Sequence, residues 1–568
     1  MTRDELIRIL DFADTSRQIC SDRTNLAAPD ARWNIISYSM RRHLEGKLLT
    51  ITSAASASGV PYGTAMRRIT ELIDEELLHK RPRSNTGRSF SLHPTRKLIR
   101  EFESYALQLK AHVGKTFGFV QNDGTASDFF FGGSYMTAKI LSFPNAMRTG
   151  VGFDKKIKIL CSPDPTFRTL KQNARTINEL CGTLVEFTLL PLNELYAAIL
   201  QNHELEQSEF DIVNFDLPWL GKFAHDEILR PLSDLIENER YNSSDFHTAA
   251  WKGGRYQNRQ YGIPIQPTTE LLFYRSDLLN EAGLTPPQTT EDVLLAARTL
   301  HKFRGTTPGI VMNYGRGLPV AHTFVQTLAD FGQPIINLQQ IDNEFDVDHI
   351  EGENFRPMID TEAGHRTAEF LKALLDYAHP KSLKCSWDER IAIFANGDAA
   401  MTYGWSVRAA AFGKEGAKEI HDKIGFTCHP SVEGKPMVSP IGGFCMGMPA
   451  NLSDERRQSA WRVMEYLARP EMMKWYVQNG SHTSPRFSTS ADPEVQSFSK
   501  MLGYLDTMER QGMTQNWPRP PVPEISGIFE ILGNVIHQML LKDITIEQAL
   551  LTCQNSIDHL MRENGRYK

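Results

Sequence analysis

The stretch from Lys155 to Asp216 restricts the possible fold more than any other part of the sequence. KIKILC is an alternating apolar strand, GTLVEFTLLP is a second strand and FDIVNFD a third, and a helical segment separates each strand from the next. This β-α-β-α-β order predicts a parallel sheet. Ligands of such sheets bind in the loops at the carboxyl ends of the strands, so we expect a binding site there.

The chain is too long for a single hydrophobic core. Its 568 residues predict roughly three to four folding units. A hydrophobic content of 41% and a charged content of 23% are typical of a soluble globular protein. The seven cysteines are widely spaced and form no paired CxxC pattern. The sequence therefore predicts reduced thiols, no metal site and no cofactor.

The N-terminal segment predicts a protein that stays in the cytoplasm. MTRDELIRILDFADTSRQIC alternates charged residues with short apolar pairs, and it contains neither an apolar signal core nor a small-residue cleavage site. The residues before Cys20 are not the small ones that precede a lipid-modified cysteine. The sequence also lacks an apolar run of about 18 residues, so we expect no membrane span and no membrane partner.

The charge of the chain is unevenly distributed. The net charge is −6, yet residues 30–110 carry 14 Lys and Arg against 8 Asp and Glu, a local charge of +6. Clustered cations neutralise phosphates, so a basic module on an acidic chain suits contact with DNA.

Three helical segments and a hairpin are predicted in this basic region. The first helix covers residues 31–46, the short second helix ends at Gly59, and the third begins with Pro61 in its first turn. Leu78 to Arg83 and Arg88 to Leu92 then predict two strands joined by a turn. This series resembles the winged helix-turn-helix domain of bacterial regulators.

The resemblance implies two sets of DNA contacts. The base-reading candidates are Tyr62, Thr64, Arg67 and Arg68, and the wing candidates are Arg81, Arg83, Asn85 and Arg88. The alternative for Arg67 and Arg68 is that they only solvate one face of their helix, as most surface arginines do.

A further helix after Pro94 carries an apolar stripe. Its residues are Leu98, Phe102, Tyr105, Ala106 and Leu109. We expect this stripe to pair two copies into a homodimer on a palindromic operator, with packing on its own domain as the alternative. Residues 1–112 are thus assigned to the DNA-binding domain with its dimerisation helix, and residues 113–154 to a connector rich in Gly and Phe.

The rest of the chain, residues 155–568, resembles the family-1 extracellular solute-binding proteins. The matching segments follow the family's order and include FDIVNFDLPWLGKFAHDEILRPLSDLI, YGIPIQPTTELLFYRSDLLNEAGLTPPQTTEDVL, IFANGDAAMTYGWS, IGGFCMGMPANLSDE and PPVPEISGIFEILGNVIHQML. The resemblance implies a two-lobed α/β fold of the periplasmic-binding type II class, preceded by the mainly α winged helix-turn-helix domain.

The resemblance also implies where the lobes meet. The first lobe is expected at about 155–266 and 432–480, and the second at about 268–430 and 481–568. PIQPTTELLFYR would cross between them, with Pro264 and Pro267 limiting the backbone there.

Ligand residues are carried over from the family's binding loops. A sugar needs an aromatic face and planar polar groups, and the candidates are Asp164, Phe167, Asp216, Trp219, Gln266, Thr268, Tyr314, Arg316, His322, Trp405, Gly443, Phe444, Arg519 and Phe529. For the phenylalanines, Trp405 and His322 the alternative is a place in a core. Arg316 and Arg519 would suit an acidic sugar, or they pair with carboxylates of their own lobe.

These observations predict a cytoplasmic, sugar-responsive transcription regulator that binds a double-stranded DNA operator. Closure of the lobes on a carbohydrate would change the spacing of paired winged helices. The alternative is the solute-binding component of an ABC-type sugar importer. The sequence has no GxSxG, HExxH or GxxxxGK[ST] motif, so an enzyme is not predicted.

Overall fold

Unit 1 of the chain comprises Met1–Ala138 with Arg510–Gly512, and unit 2 comprises Lys139–Glu509 with Met513–Lys568. The computed structural model describes residues 3–24, 30–45, 47–82, 90–117, 141, 143–147, 151–152, 155–239, 241–303, 305, 307–341, 344–413 and 420–568. The predicted connector, 113–154, therefore lies largely outside the described residues.

Unit 1 consists of five helices and a hairpin within its described residues. These are α1 (Arg3–Thr24), α2 (Ala31–Leu44), α3 (Ile51–Ala57), α4 (Tyr62–Asp74), β1 (Leu78–Pro82), β2 (Phe90–Pro94) and α5 (Arg96–Phe117). The Asp30 side chain caps α2 by accepting the Trp33 N–H at 3.0 Å, and Thr50 caps α3 through a capping box with Ser53. Gly59, at φ +73°, supplies the left-handed turn before α4.

The core of unit 1 draws on every one of its helices. Ile9 of α1, Ile35 of α2, Ile69 of α4, Leu92 of β2 and Phe102 of α5 are buried together. The hairpin strands pair antiparallel, and the N–H group of Leu92 also donates to the Leu49 carbonyl at 3.0 Å. The hairpin is therefore held to the helices on its α3 side.

The remaining helices and strands begin with a strand at Lys156. The helices are α6 (Pro165–Gln172), α7 (Ala174–Cys181), α8 (Leu192–His203), α9 (Leu220–His225), α10 (Ser233–Asn238), α11 (Thr248–Gly253), α12 (Ser276–Glu281), α13 (Thr290–Leu300), α14 (Leu318–Asp330), α15 (Glu362–Leu375), α16 (Trp387–Ala395), α17 (Asp454–Leu467), α18 (Pro470–Gln478), α19 (Phe487–Ser490), α20 (Pro493–Phe498), α21 (Lys500–Arg510), α22 (Ile525–Leu540) and α23 (Ile546–Glu563). The strands are β3 (Lys156–Cys161), β4 (Leu184–Leu189), β5 (Ile212–Asp216), β6 (Leu229–Arg230), β7 (Arg255–Tyr256), β8 (Arg259–Gln260), β9 (Ile263–Arg275), β10 (Gln340–Ile341), β11 (Glu344–Phe345), β12 (Met401–Trp405), β13 (Ile424–Thr427), β14 (Ser439–Pro449) and β15 (Thr514–Gln515).

The principal sheet of unit 2 has the strand order β12-β9-β14-β5-β3-β4. Strand β3 pairs parallel with both β4 and β5, as the β-α-β-α-β pattern predicts, whereas β14 pairs antiparallel with β5 and β9. Ile212, Val213, Asn214 and Phe215 are all buried, because helices cover both faces of these central strands.

Unit 2 contains two separate large cores, which define its lobes. The first lobe is built around residues such as Ile159, Val213 and Trp461. The second lobe is built around residues such as Phe324 and Leu371, with Val432 and Val438 also in this core. Both strands β9 and β14 belong to the sheet that joins the two lobes.

The described residues contain no helix long and apolar enough to cross a membrane. Within the same residues no group of three or more His, Cys, Asp or Glu side chains is placed to hold a metal ion. The cysteines Cys161, Cys181, Cys385, Cys428, Cys445 and Cys553 are buried and free.

Candidate functional site

Two long strands cross from one lobe of unit 2 to the other. The first part of β9 pairs with β14 from Ile263 to Thr269, which lies opposite Ile441. The second part of β9 pairs with β12 and β13 of the second lobe. The crossing lies near Thr268, opposite Gly442. Residues around this point face the space between the two cores.

The crossing strands approach closely at Gly443. This residue has φ +95°, and a Cβ atom there would overlap the carbonyl oxygen of Gln266. Only glycine combines this backbone angle with so little space. Gly443, a predicted ligand residue, therefore shapes the crossing through its backbone.

Two predicted ligand residues fasten the crossing to the lobes. The Oε1 atom of Gln266 accepts the N–H of Thr166 at 3.1 Å, at the start of α6 in the first lobe. The Oγ1 atom of Thr268 accepts the N–H of Val407 at 3.1 Å and lies 3.1 Å from Oγ of Ser406, just after β12. Both side chains are buried, so their hydrogen bonds set the positions of the neighbouring loops.

Arg519 and Trp405 form the most distinctive pair at the crossing. The guanidinium carbon of Arg519 lies 4.8 Å from the centroid of the Trp405 ring, a cation–π distance. One terminal nitrogen of Arg519 donates to the carbonyl of Ile441 on β14. Its Nε atom has no hydrogen-bond partner within the described part of the chain. A buried donor without a partner is available to a bound polar molecule.

Asp216 lies at the carboxyl end of β5, where its charge interacts with that of Arg519. Burial raises the pKa of Asp216 to about 6, opposed by the positive charge of Arg519 and reinforced by Asp164. Burial also lowers the pKa of Arg519, against the opposing effect of Asp216 and Glu270. At neutral pH the site therefore combines a carboxylate with a guanidinium, since arginine remains charged.

A small cavity opens between the lobes beside these residues. Its empty volume is about 300 Å³, and its lining consists of Leu217, Pro218, Lys252, Gly253, Ile441, Asn516, Arg519 and Pro521. Arg519 is the one predicted ligand residue among them, and Leu217 directly follows Asp216.

The other first-lobe candidates lie near the site or in the core. Asp164 precedes α6 and accepts from Oγ of Ser162 at 3.0 Å. Phe167 and Phe444 are buried and pack edge-to-face at 5.8 Å. Trp219 packs against Tyr196, with ring centroids 5.1 Å apart. Phe167 and Phe444 are thus part of the core of the first lobe, next to the loop that carries Asp164.

The second-lobe candidates divide in the same way. Tyr314 is fully buried, and its hydroxyl donates to the Leu371 carbonyl at 2.9 Å. Arg316 is exposed and donates to Asn534 at 2.9 Å. His322 is buried against Phe529, with ring centroids 4.5 Å apart. The structure therefore keeps Tyr314 and Phe529 in the core and Arg316 on the surface.

His322 faces the charged residues of the site. Burial, reinforced by the positive Arg519 and Arg390, holds its pKa well below the usual range. Its Nδ1 atom has no partner among the residues that the structure describes. The ring is consequently neutral at physiological pH and offers one nitrogen for a hydrogen bond.

The sequence did not predict a buried ionic cluster that lies behind the crossing. Arg390 of α16 donates to Glu270 on β9, and His429 lies 3.8 Å from Glu270 and 3.1 Å from Asp330. All four side chains are at most 3% exposed. Burial alone would lower the pKa of His429, but Asp330 and Glu270 outweigh it and raise the pKa. The signal in the sequence was Glu270 itself, the one carboxylate in the crossing strand IPIQPTTELLFYR.

The residues predicted to contact DNA lie on unit 1. Tyr62 and Thr64 are exposed near the start of α4, where Arg68 pairs with Glu71 at 2.6 Å and Arg67 lies 3.8 Å from the same carboxylate. On β1 the Nε atom of Arg81 donates to His79 at 2.8 Å. The other wing candidates, Arg83, Asn85 and Arg88, lie outside the described residues.

The predicted dimerisation stripe packs inside its own unit. Leu98, Phe102 and Ala106 of α5 are buried in the core of unit 1, and Leu109 packs against that core. The ring of Tyr105 meets Trp33 of α2 edge-to-face at 5.4 Å. An amphipathic stripe looks the same in sequence whether it faces a core or a partner, and here the core takes it.

Known relatives of the chain are transport proteins. A protein of Sinorhizobium fredii named "Probable amino-acid ABC transporter periplasmic-binding protein" is 24% identical over 432 residues, which cover 73% of this chain and 91% of the relative. The mannitol-binding protein of Pseudomonas aeruginosa is 20% identical over 399 residues, which cover 67% of this chain and 87% of the relative.

A solved structure matches the fold of the same part of the chain. The ABC transporter solute-binding protein of Agrobacterium radiobacter K84, in complex with ribitol, superposes with a TM-score of 0.64 at 22% identity. The match covers 72% of this chain and all of that protein, 100%. This confirms the two-lobed α/β solute-binding fold that the sequence predicts.

These relatives correct the functional prediction. They are periplasmic and extracellular binding proteins of transporters. The prediction of a cytoplasmic transcription regulator that binds a DNA operator as a homodimer is therefore wrong. One observation in unit 1 agrees with the correction of the dimer: the α5 stripe is buried in its own core. The alternative of a transporter's solute-binding component is the better supported interpretation.

The family itself is identified from the sequence of unit 2. A model described as "Bacterial extracellular solute-binding protein" matches residues 175–502, more than half of the chain. The matched range includes the crossing strands and both lobes, with Asp216 and Trp405 inside it and Arg519 just beyond it. The chain belongs to the bacterial extracellular solute-binding protein family.

Proposed function

We propose that the chain captures a small polyhydroxy solute, a sugar or sugar alcohol, between the lobes of unit 2 and presents it to an ABC-type transporter. The observation that carries this proposal is the Arg519–Trp405 pair beside Asp216 at the crossing of the lobes. Related proteins that bind mannitol or ribitol support the solute class. By the same argument we propose that the protein acts outside the cytoplasm.

The chemistry of the site suits a neutral solute. Asp216 and Arg519 carry opposite charges, so an anionic solute would face the carboxylate as well as the guanidinium. Hydroxyl groups both donate and accept, and they would pair with a carboxylate oxygen, the free Nε of Arg519 and Nδ1 of His322. The indole of Trp405 offers an apolar face to the C–H surface of such a molecule.

We therefore propose Asp164, Asp216, His322, Trp405 and Arg519 as the residues that contact the solute. Gln266, Thr268 and Gly443 would act by fixing the crossing, through the hydrogen bonds and the close approach described above. Lys252 and Asn516 join the proposed set because both line the cavity.

An amino acid is the second candidate. A zwitterion would place its carboxylate on Arg519 and its ammonium group on Asp216, and the pair of opposite charges favours this arrangement. The name of the Sinorhizobium relative agrees with it.

Calorimetric titration of the full chain distinguishes the two classes. We expect heat of binding with ribitol, D-mannitol or a monosaccharide, and none with neutral L-amino acids under the same conditions. Binding of amino acids alone would favour the second candidate, and the absence of binding in both panels would contradict the assignment of the cleft. Fractionation of cells that produce the native protein tests its location, and recovery with the cytoplasm would contradict the transport role.

We also propose the organisation of the chain into residues 1–112, a connector at 113–154 and the solute-binding part at 155–568. The pairing of Leu92 with Leu49 beside the β1–β2 hairpin, together with α2, α3 and α4, supports a winged helix-turn-helix topology for the first of these. The lobes would cover about 155–266 with 439–480 and about 268–438 with 481–568, since Val432 and Val438 belong to the core of the second lobe. A crystal structure of the full chain tests this division.

A further inference from the structure

A second set of contacts joins the lobes outside the cleft. The β7–β8 hairpin, residues 255–260, projects from the first lobe, where Tyr256 and Tyr261 are part of the core. It meets residues 344–349 of the second lobe, where Val347 belongs to the other core. The contacts between these two segments are polar, and we call them the lobe clasp.

The centre of the clasp is a two-pronged ion pair. The Nε atom of Arg255 donates to Oδ1 of Asp348 at 2.9 Å, and a terminal nitrogen donates to Oδ2 of the same carboxylate. The side chains of Arg255 and Asp348 are 30% and 14% exposed. Bidentate, partly buried ion pairs are stronger than ordinary surface pairs, and they fix the relative orientation of the two side chains.

The tip of the hairpin is held in a costly backbone conformation. Gln257 and Asn258 have φ angles of +46° and +63°, a region that glycine usually occupies in such turns. In this conformation the Asn258 amide lies 2.8 Å from Nε2 of His349. The facing segment is ordered in turn by Asp346, whose Oδ2 lies 2.9 Å from Nδ1 of His349. Both sides of the clasp are therefore preorganised.

The clasp connects to the lining of the cavity. Lys252, which lines the cavity, lies 3.4 Å from Oε2 of Glu344. The other oxygen of Glu344 accepts from Gln515 at 3.2 Å, and Gln515 directly precedes the cavity residue Asn516. A solute that contacts both Lys252 and Asn516 would therefore also hold the two segments of the clasp against each other.

We propose that the lobe clasp holds the two lobes in their closed arrangement and so sets how long a solute stays bound. Arg255, Asn258 and Asp348 are positioning residues, because they lie outside the proposed solute contacts. The expected effect of the clasp on solute affinity rests on the proposed function. Its expected effect on lobe closure does not depend on any solute. Salt screens a partly buried pair less than an exposed one, so the clasp weakens gradually as ionic strength rises.

The test compares Arg255→Ala, Asp348→Ala and the exchanged pair Arg255→Asp with Asp348→Arg in the full chain. The matched control is Arg175→Ala, which removes an exposed ion pair within the first lobe, 94% and 67% exposed. Stopped-flow release of bound ribitol or mannitol should be about fivefold faster or more in each single variant. The exchanged pair should recover slow release, and the control should match the parent chain.

Small-angle X-ray scattering of the chain without solute provides the second measurement. The single clasp variants should have a larger radius of gyration than the parent at low salt, with the parent approaching them at high salt. An unchanged radius in the variants would overturn the proposal even if no tested solute binds. Faster solute release without any salt dependence in the parent would also overturn it, while the absence of binding in the parent would contradict only the proposed function.

Discussion

The two groups of charged residues beside the crossing strands differ in how their charges are compensated. In the buried cluster, Arg390 donates directly to Glu270, and His429 lies against Asp330 at 3.1 Å. In the cleft, Arg519 lies over the Trp405 ring and donates to a backbone carbonyl instead of a carboxylate. An Nε atom without a hydrogen-bond partner among the described residues occurs in both groups, at Arg390 and at Arg519, so the difference lies in the carboxylate. Charges of the first kind stabilise a fold, and charges of the second kind are available to a ligand.

Residues that matter for folding and residues proposed for binding therefore lie within a few positions of one another on one strand. Glu270 lies two positions after Thr268 on β9, so the same strand serves both groups. Substitutions in the buried cluster should therefore reduce the stability of the fold, and substitutions in the cleft should reduce solute affinity. The predictions below test that separation.

The largest expected effect is on stability. Arg390→Ala leaves Glu270 buried without its cation, and breaking such a pair costs about 3–5 kcal/mol of unfolding free energy. Urea unfolding followed by circular dichroism measures this cost. The double substitution Arg390→Met with Glu270→Gln should recover most of the loss, because both charges are then absent. A single variant as stable as the parent would contradict the structural role of the cluster.

Arg519→Met should affect binding more than folding. We expect a loss of about 2 kcal/mol in solute binding, roughly 30-fold in affinity, because a hydrogen-bonding partner of the solute disappears. The loss of unfolding free energy should be about 1 kcal/mol or less, from the Ile441 carbonyl. Calorimetry and urea unfolding of the same preparation give both values, with the exposed Arg316→Ala as control. A stability loss as large as that of Arg390→Ala would remove the distinction.

The affinity for solute should fall with pH between 7 and 5. The pKa of Asp216 is raised to about 6, so the carboxylate becomes protonated in this window and loses its negative charge. If the ionised form binds, affinity falls about tenfold from pH 7 to pH 5. Asp216→Asn should bind more weakly and show a flat profile over this range.

The same residue affects stability with the opposite sign. Its folded-state pKa lies above the unfolded value of about 4, so the fold favours the protonated carboxyl. The contribution of Asp216 to stability is present below pH 4 and is lost as pH rises through 6. Solute titrations at pH 5, 6 and 7 together with unfolding curves at each pH separate the two effects.

The smallest expected effect is that of Trp405→Phe. The ring becomes smaller but stays aromatic, so we expect a loss of about 0.5–1 kcal/mol in solute binding. Trp219→Phe is the matched control, since Trp219 packs against Tyr196 in the first lobe. Fluorescence titration would show an unchanged affinity in the control. A larger loss in the control than in Trp405→Phe would reverse the assignment of the stacking residue.

The sequence was informative where burial produces a pattern. The three strands from Lys156 to Asp216 and the crossing strand with Pro264 and Pro267 follow from runs of apolar residues bounded by turn residues. The lobes could be predicted because the matching segments occur in the family's order. The sequence placed a boundary between the lobes at about residue 432, whereas Val432 and Val438 lie in the core of the second lobe.

Side-chain direction was the part that the sequence did not contain. Tyr314 and Arg316 lie two positions apart in the sequence, yet one is buried in the core and the other is exposed to solvent. The α5 stripe was assigned to a dimer for a related reason, because a pattern along one helix does not say which other element packs against it. The pairing of the α4 arginines with a carboxylate was likewise not contained in that pattern. Glu71 lies one helical turn from both arginines and pairs with each.

The pairing of β9 with β14 has a mechanical consequence. Pro264 and Pro267 lie opposite Cys445 and Gly443, and the register shifts between Phe444 and Cys445. Prolines have no N–H to donate, so neither Pro264 nor Pro267 donates a hydrogen bond to β14. Bending the sheet at this place strains fewer bonds than bending it elsewhere. The sheet is therefore most easily bent where β9 and β14 join the lobes. The lobes can move apart by bending there, without disturbing either core.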